Sequence, residues 1–227
     1  RQTTPALAQT TRQPDAGRRY TVGLLSFGPN PVFEMAERGV LEALAEAGFH
    51  ADSNLTVRSM HANNDMAILP QVVQRLANLK PDVLVALSTP CLAAVLSGVR
   101  DVPIVFGVVS APLEVGAGES FEHHLPQVAG AVWTAPAPEA FAWMKRLFPQ
   151  SRKLGILYNP VHANSLVEAA AVRQLCGEYG LALEERNVAS PGESVEAMQA
   201  LLQAGPDLVF AMGDNTVVSA FSAIAQA

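Results

Sequence analysis

The sequence contains little cysteine, no concentration of basic residues and no long apolar run, and each shortage excludes a class of protein. Its two cysteines, Cys91 and Cys176, fall in different predicted units, so we expect two buried thiols rather than a disulfide framework. The 15 Lys and Arg are dispersed among 21 Asp and Glu, and the formal charge of -6 argues against a nucleic-acid partner. No apolar run approaches the ~20 residues that span a bilayer.

Sequence signatures of common α/β enzymes are also missing. No G-x-G-x-x-G follows the first predicted strand, and neither a Walker A lysine nor a G-x-S-x-G is present. We therefore expect a protein without catalytic activity. A DNA-binding regulator of similar architecture would need a helix-turn-helix ahead of the first strand, and residues 1–19 are too few and too irregular for one.

Residues 1–19 are rich in Thr, Gln, Pro and Arg and have no periodicity, which predicts a flexible leader. Within it, Ala6-Leu7-Ala8 has the small-x-small form of a signal-peptidase site, although no hydrophobic segment precedes it. This signal-peptidase-like site favours export, so we expect a periplasmic or otherwise extracytoplasmic protein.

From Tyr20 onward, apolar β-branched runs alternate with helical patterns. Four of these runs end in a short loop of Ser, Thr, Asn, Asp or Pro that opens a helix, and they begin at Val22, Val83, Ile156 and Leu208. Such runs predict central strands of parallel sheets that are buried on both faces. Helix N-termini then gather along one edge of each sheet, where unpaired N–H groups can hold a small polar or anionic ligand.

The alternation forms two series, which predicts an α/β fold of two Rossmann-like lobes, over 20–131 and 132–227, with their strand-end loops facing a shared cleft. We expect the lobes to hinge near Gly130, at the end of a Gly-rich irregular stretch. The second series has three predicted strands, which is few for such a sheet. Either another chain completes that sheet or the sequence is a fragment. The predicted strands cover 20–25, 55–60, 82–87, 103–109, 153–158, 182–188 and 207–212. The predicted helices cover about 32–47, 66–79, 139–147, 163–179, 194–203 and 216–225, with a short helix from residue 90.

Three motifs connect this pattern to a family: Pro103-Ile104-Val105-Phe106, Gly155 to Pro160 followed by Ala163-Asn164-Ser165, and Asp214 to Ala220. With them the chain resembles the ABC-transporter solute-binding proteins of the tryptophan/tyrosine-uptake type, which have the type I periplasmic-binding-protein fold. The resemblance implies two lobes that close on a free amino acid, often aromatic, and deliver it to a membrane permease. Members of that family are longer and return to the first lobe, which favours the fragment explanation.

The strand-end positions and the resemblance together give candidate ligand-binding residues. Ser88 and Thr89 offer hydroxyls and helix N–H groups to a carboxylate, or Thr89 only caps a helix. Asp214 is either a counter-ion for a ligand ammonium, which we favour over Asp65, or a helix cap. Asn159 and Asn164 either bind the ligand or form turns. The full set is Ser26, Phe27, Ser88, Thr89, Ser110, Tyr158, Asn159, Asn164, Asp214 and Asn215.

Aromatic residues near the strand ends bear on the ligand. Phe27 and Tyr158 are expected to wall the cleft, whereas Trp133 is expected to pack in the core. Two positions depart from the family pattern, which leaves the identity of the ligand open. His162 stands where the family often has an acidic residue, and Ala111-Pro112 replaces its Asp-Pro.

The predicted function is therefore an extracytoplasmic solute-binding protein of an ABC importer. Its predicted partners are a small ligand, an amino acid or a related carboxylate, and an ABC permease. The alternative is a ligand-sensing domain of a membrane receptor or regulator with the same fold, because its cleft would look the same. Neither a cofactor nor a metal is predicted, since the tandem His123-His124 lacks a spaced third ligand.

Overall fold

The computed structural model describes residues 13–226, in which eight strands form two separate parallel sheets. We call the two halves of the chain that contain them the first lobe and the second lobe. The predicted α/β class with two Rossmann-like lobes is confirmed. The first sheet contains β1 Tyr20–Ser26, β2 Leu55–His61, β3 Val83–Leu87, β4 Ile104–Val109 and β5 Val128–Val132, and the second contains β6 Lys153–Tyr158, β7 Ala182–Asn187 and β8 Leu208–Phe210.

Helices alternate with these strands, as parallel pairing requires. A 3-10 turn, Pro191–Glu193, precedes α6. The helices are α1 Pro31–Glu46, α2 Leu69–Asn78, α3 Thr89–Gly98, α4 Ala137–Leu147, α5 Ala163–Tyr179, α6 Ser194–Gln203, α7 Asn215–Ser219 and α8 Phe221–Ile224.

The direction of strand addition reverses once in each sheet. The first sheet has the order β2-β1-β3-β4-β5, so the chain steps from β1 to one side and then returns past it to β3. The second sheet, β7-β6-β8, reverses about β6 in the same way. Right-handed crossovers therefore place α1 opposite α2 and α3, and α5 opposite α6. Ligands of open α/β sheets bind outside the carboxyl ends of the strands at these reversals, here β1 with β3 and β6 with β8.

Apolar side chains cover both faces of the central strands β1, β3 and β6, as their unbroken apolar runs predict. The prediction of a central strand is wrong for the run from Leu208, because β8 lies at the edge of the second sheet among the described residues and Val209 is exposed. One continuous core supports the first lobe, and Leu24, Leu84 and Ile104 in it are at most 1% exposed. The second lobe has two clusters, with Val172 packed on the α5 side of the sheet and Leu201 on the α6 side. The strand ends are therefore held on rigid frames.

Strand β5 was not predicted, because its sequence lies inside the stretch expected to be irregular up to Gly130. Its last residue, Val132, falls one position beyond the predicted lobe boundary. Small residues are required here, since a Cβ on Gly130 would lie 2.4 Å from the carbonyl oxygen of Phe106 on β4. Gly130 is thus a packing residue inside β5. A hinge near it stays a prediction and would have to lie in the residues that follow the strand.

The C-terminal elements are shorter than predicted. β8 covers three residues, and the helix expected from Thr216 to Ala225 is divided into α7 and α8 at Ala220. The backbone N–H of Ala220 bonds to the carbonyl of Val217, a three-residue spacing that tightens the helix at the break. Among residues 13–226, three strands form the second sheet, as the sequence predicts.

The described part of the predicted leader, residues 13–19, contacts the first lobe. Arg18 forms a salt bridge with Asp82, with 2.5 Å between Nη2 and Oδ1, and Arg19 donates to the carbonyl of Ser53 at 3.2 Å. Composition does not reveal such contacts, and the extent of the flexible leader stays a prediction. Residues 1–12, including Ala6-Leu7-Ala8, lie outside the described residues.

Both cysteines are free and buried, which confirms the prediction of two separate thiols. Burial raises the pKa of the Cys91 thiol to about 12. No helix between residues 13 and 226 is long and apolar enough to span a bilayer.

Candidate functional site

The carboxyl ends of the two sheets face each other and are in contact. The ring of Phe27, directly after β1, meets the ring of His162, directly before α5, edge to face with 5.2 Å between the centroids. These side chains are 0% and 1% exposed. Because they belong to different lobes, their burial depends on the lobes being together. The site therefore lies between the lobes, at the reversal points of both sheets.

Hydroxyl groups dominate the first-lobe side of the site. Ser88 caps α3, since its Oγ accepts the N–H of Cys91 at 3.3 Å, and Thr89 Oγ1 accepts the N–H of Ser110 at 3.3 Å. Each hydroxyl keeps a proton that it can donate elsewhere. The cap that the sequence offered as an alternative is therefore present, with Ser88 rather than Thr89 as the capping residue.

Two residues near the same strand ends have strained backbone conformations. Ser88 has a φ of 134° and Val108, at the irregularity in β4, has a φ of 54°. Non-glycine residues in these regions cost about 1–3 kcal/mol each and cluster at functional sites. The loops after β3 and β4 are thus held in conformations that the sequence alone would not favour.

Asp214 connects three elements of the second lobe. Its carboxylate is fully buried and accepts the N–H of Asn159 at 2.8 Å, the hydroxyl of Ser165 at 2.5 Å and the N–H of Val217 at 2.8 Å. The last of these bonds caps α7. The structure therefore shows the capping role for Asp214 and a wider one, since the carboxylate joins the ends of β6 and β8 to the start of α5.

Two other predicted ligand residues are also bonded within the second lobe. The amide of Asn159 accepts the N–H of Val161 and donates to the carbonyl of Ala189 and the hydroxyl of Thr216, as a turn residue does. The Tyr158 hydroxyl lies in a cluster with Arg173 and Glu185, both away from the start of α5. The hydroxyl end of Tyr158 therefore lies toward β7, and a contact between its ring and a ligand stays a prediction.

Unpartnered polar atoms in buried positions collect at the second-lobe side. Within residues 13–226, every such side-chain atom belongs to one of four residues of α5 and α7 or the turn before α5. Buried polar groups are ordinarily hydrogen-bonded, so a cluster of exceptions indicates atoms that are kept for another partner. The atoms are His162 Nδ1 and Nε2, Asn164 Oδ1, Glu168 Oε1 and Asn215 Nδ2.

His162 is held neutral in this cluster. Burial lowers the pKa of its ring, and the Asp214 carboxylate, with Oδ2 3.9 Å from Nδ1, opposes that shift. A neutral imidazole has one N–H donor and one acceptor nitrogen. The residue that departs from the family pattern thus offers both kinds of hydrogen-bonding atom between the lobes.

Glu168 was missed by sequence reasoning, although a signal for it existed. It lies one turn after Asn164 on α5, and residues four apart share a helix face. Both side chains bond to Gly213 after β8, Glu168 Oε2 to its N–H at 2.9 Å and Asn164 Nδ2 to its carbonyl at 3.2 Å. Burial, with a further contribution from Asp214, raises the pKa of Glu168.

Trp133 lies beside Glu168 instead of in the core. Its ring comes within 3.2 Å of the position that a Cβ on Gly213 would occupy, and Glu168 Oε2 lies 3.3 Å from the same point. The indole is 48% exposed, which corrects the expectation of a core position. Trp133 lies in the segment that follows β5 and connects the two lobes, and Gly213 belongs to the second lobe. This contact therefore brings the connecting segment to the site.

The remaining candidates lie apart from these residues. His123 and His124 are exposed in the loop between β4 and β5, and His123 bonds to Ser120. Asp65 is exposed and accepts the N–H of Ala67 in a local turn. In the described part of the chain, no three His, Cys, Asp or Glu side chains are arranged to hold a metal ion.

Comparison with known proteins identifies the family. A family model described as ABC transporter substrate binding protein matches residues 21–227. This chain belongs to that family. The resemblance drawn from its motifs is confirmed, and the strand-end site lies where the two lobes of this fold meet.

Similar proteins include ligand complexes. A tyrosine-binding protein of Clostridioides difficile is 23% identical over 215 residues, which are 95% of this chain and 62% of that protein. The ABC domain of Streptococcus pneumonia in complex with L-Trp has a TM-score of 0.86 at 22% identity, covering 92% of this chain and 70% of that one. A Rhodopseudomonas palustris solute binding protein in complex with 4-hydroxybenzoate has a TM-score of 0.61 at 16% identity, covering 86% and 54%.

Proposed function

We propose that this protein is the extracytoplasmic solute-binding component of an ABC importer, and that its two lobes close on a small aromatic amino acid or a related carboxylate. The observation that carries the proposal is the set of unpartnered polar atoms that is buried where Phe27 of one lobe meets His162 of the other. A ligand held between the lobes would satisfy these atoms, and the protein would bind and release it without chemical change.

The chemistry of the first-lobe side supports a carboxylate on the ligand. Ser88 and Thr89 carry hydroxyl protons at the start of α3, a ten-residue helix whose N-terminus favours negative charge. The molecules named for the similar proteins, tyrosine, L-Trp and 4-hydroxybenzoate, share an aromatic ring and a carboxylate. Phe27 and Trp133 offer apolar ring surface near the polar groups, which suits an aromatic side chain.

The movement requires a hinge, which we assign to residues 133–136 between β5 and α4. These residues belong to neither strand nor helix, and Trp133 is bonded at its N–H to the carbonyl of Val109. Hinges are loop or element-terminal residues that absorb backbone rotation while the domains stay rigid. The sheets on either side would then move as units.

Ligand stabilisation tests the binding function. A thermal-shift screen of the standard amino acids and aromatic carboxylates should give a concentration-dependent rise in Tm for aromatic members, since a ligand that binds only the native state stabilises it by mass action. A screen without any stabilising compound would contradict the proposed ligand class.

Small-angle scattering tests the closure. We expect the radius of gyration to fall when the ligand found in the screen is added at saturation. An unchanged radius together with tight binding would show that the lobes do not close on the ligand. A permease gene and an ATPase gene beside this one would support uptake, and a kinase or cyclase domain on the same chain would support the sensing alternative.

A further inference from the structure

We propose that Glu168 with Asn164, flanked by the ring of Trp133, forms a subsite for a positively charged amino group of the ligand, and that Asp214 does not. This inference deepens the proposed function and rests on it. It assigns the ligand to the class of aromatic amino acids or amines and excludes simple aromatic acids.

The carboxylate of Asp214 has little capacity left for a ligand. Three donors of its own lobe already bond to its two oxygens, and it is 0% exposed. Moving it to meet an ammonium would leave those three donors without their acceptor. Buried donors without acceptors cost more than a single new hydrogen bond returns.

Glu168 is in the opposite situation. One carboxylate oxygen accepts the Gly213 N–H, while the other, Oε1, is buried without a partner. Among residues 13–226, no Lys or Arg forms a salt bridge with it. Buried carboxylates are normally paired with a cation. A cationic group on the ligand would be that missing pair.

Two further groups at the same place suit a cation. Asn164 is 4% exposed, and its Oδ1 is a second unpartnered acceptor on the same face of α5. The Trp133 ring lies close to Gly213, near the same point as Glu168 Oε2, and the faces of aromatic rings attract ammonium groups electrostatically. Two side chains with an unpartnered acceptor oxygen and one aromatic ring thus lie around Gly213.

A neutral carboxyl or amide at position 168 would bind an ammonium group less tightly than the Glu168 carboxylate does. Glu168→Gln keeps the shape and can still accept the Gly213 N–H, but it removes the charge. Glu178→Gln is the matched control, because Glu178 lies on the same helix, is exposed and has a local bond to Gln174.

Calorimetric titrations with L-tyrosine and 3-(4-hydroxyphenyl)propionate test the subsite, since the two probes differ only in the amino group. We expect Glu168→Gln to weaken L-tyrosine binding by about 10- to 100-fold, as hydrogen bonds to charged groups imply. Affinity for the propionate should be unchanged or higher, and Glu178→Gln should leave both affinities as in the parent.

Three outcomes would overturn the inference while leaving the proposed function intact. In one, Glu168→Gln weakens both probes equally. In another, it weakens neither. In the third, the parent protein binds the propionate more tightly than L-tyrosine. A parent that binds neither these probes nor any other aromatic amino acid or acid contradicts the proposed function itself.

The pH dependence of stability gives a readout that needs no ligand. The titratable neighbours of Glu168 are Asp214, in the loop after β8, and His162, which lies beside Asp214. Trp133, in the segment that connects the lobes, does not titrate. Because the folded-state pKa of Glu168 lies above its ordinary 4.5, ionisation at neutral pH destabilises the folded protein. Glu168→Gln should therefore be more stable than the parent at neutral pH, with a difference that disappears below pH 4.5. Equal or lower stability of the variant at neutral pH would overturn the inference.

Discussion

In the first lobe, the side chains at the strand ends are hydroxyls whose oxygens already accept N–H groups, as Ser88 and Thr89 do. In the second lobe, the corresponding side chains are carboxylates, amides and an imidazole, and every unpartnered buried polar side-chain atom among residues 13–226 is found there. The first lobe thus offers protons and helix N–H groups, and the second offers mostly acceptors. A ligand with a carboxylate at one end and an ammonium at the other would match this polarity.

The difference also shows how each lobe is held together. Backbone caps and apolar packing fix the first lobe, whereas Asp214 ties together three elements of the smaller second lobe through buried hydrogen bonds. One substitution at Asp214 can therefore disturb three elements of the second lobe at once.

Asp214→Asn is expected to have the largest effect on stability. The amide can still accept from Val217, but its NH2 would then face the donors of Asn159 and Ser165. We expect a loss of about 3 kcal/mol in the free energy of unfolding, because two buried donors lose their acceptor. Chemical denaturation measures this loss. The control is Asp65→Asn, the same change at an exposed position, which should leave the free energy of unfolding nearly unchanged. Equal effects of the two substitutions would show that the Asp214 carboxylate does not hold these elements together.

Thiol labelling compares the stability of the lobes directly, since each contains one buried cysteine. Cys91 lies on α3 in the first lobe and Cys176 on α5 in the second. We expect native-state labelling of Cys176 to be faster by about tenfold, equivalent to ~1.4 kcal/mol, because a three-stranded sheet opens more readily than a five-stranded one. Single-cysteine variants provide the measurement. Faster labelling of Cys91 would show that the first lobe opens more readily than the second, contrary to this account.

Ser88→Gly should have the smallest effect and the opposite sign. The φ of 134° at Ser88 is unfavourable for any residue with a Cβ, so glycine relieves strain while losing only part of the cap. We expect a gain of about 1 kcal/mol in unfolding free energy. Ser88→Ala keeps the strain and loses the cap, so it should be destabilising. A loss of stability in both variants would show that the backbone at Ser88 is not strained.

The fold was largely predictable because buried parallel strands leave unbroken apolar runs. The bounds of β6, α5 and α6 match the predicted ones. The sequence of β5, Val128–Val132, did not predict a strand, because small residues interrupt its apolar pattern. The strand forms because those small residues fit beside Phe106 on β4.

The site was predicted less completely. Strand ends indicated Ser88, Thr89 and Asn164, whose role in ligand binding stays a prediction. For residues such as Asp214 and Asn159, the sequence could not decide between a structural role and ligand binding, because both roles use the same side chains at the same positions. Glu168 was missed since a glutamate inside a helix is ordinarily solvated, and its contact with Gly213 depends on a segment distant in the sequence.

The central claim, that each lobe recognises one charge of the ligand, is tested most directly by a crossed calorimetric titration. Thr89→Val removes the first-lobe hydroxyl, and Glu168→Gln removes the second-lobe charge. The probes are L-tyrosine, 3-(4-hydroxyphenyl)propionate and tyramine, of which the last two each lack one charged group.

We predict that Thr89→Val weakens L-tyrosine and the propionate by about 1.5–3 kcal/mol, the range for hydrogen bonds to charged groups, and leaves tyramine unchanged. Glu168→Gln should weaken L-tyrosine and tyramine and leave the propionate unchanged. The account would be contradicted if each variant weakened all three probes alike, because the two lobes would then not divide the recognition of the ligand's charges between them.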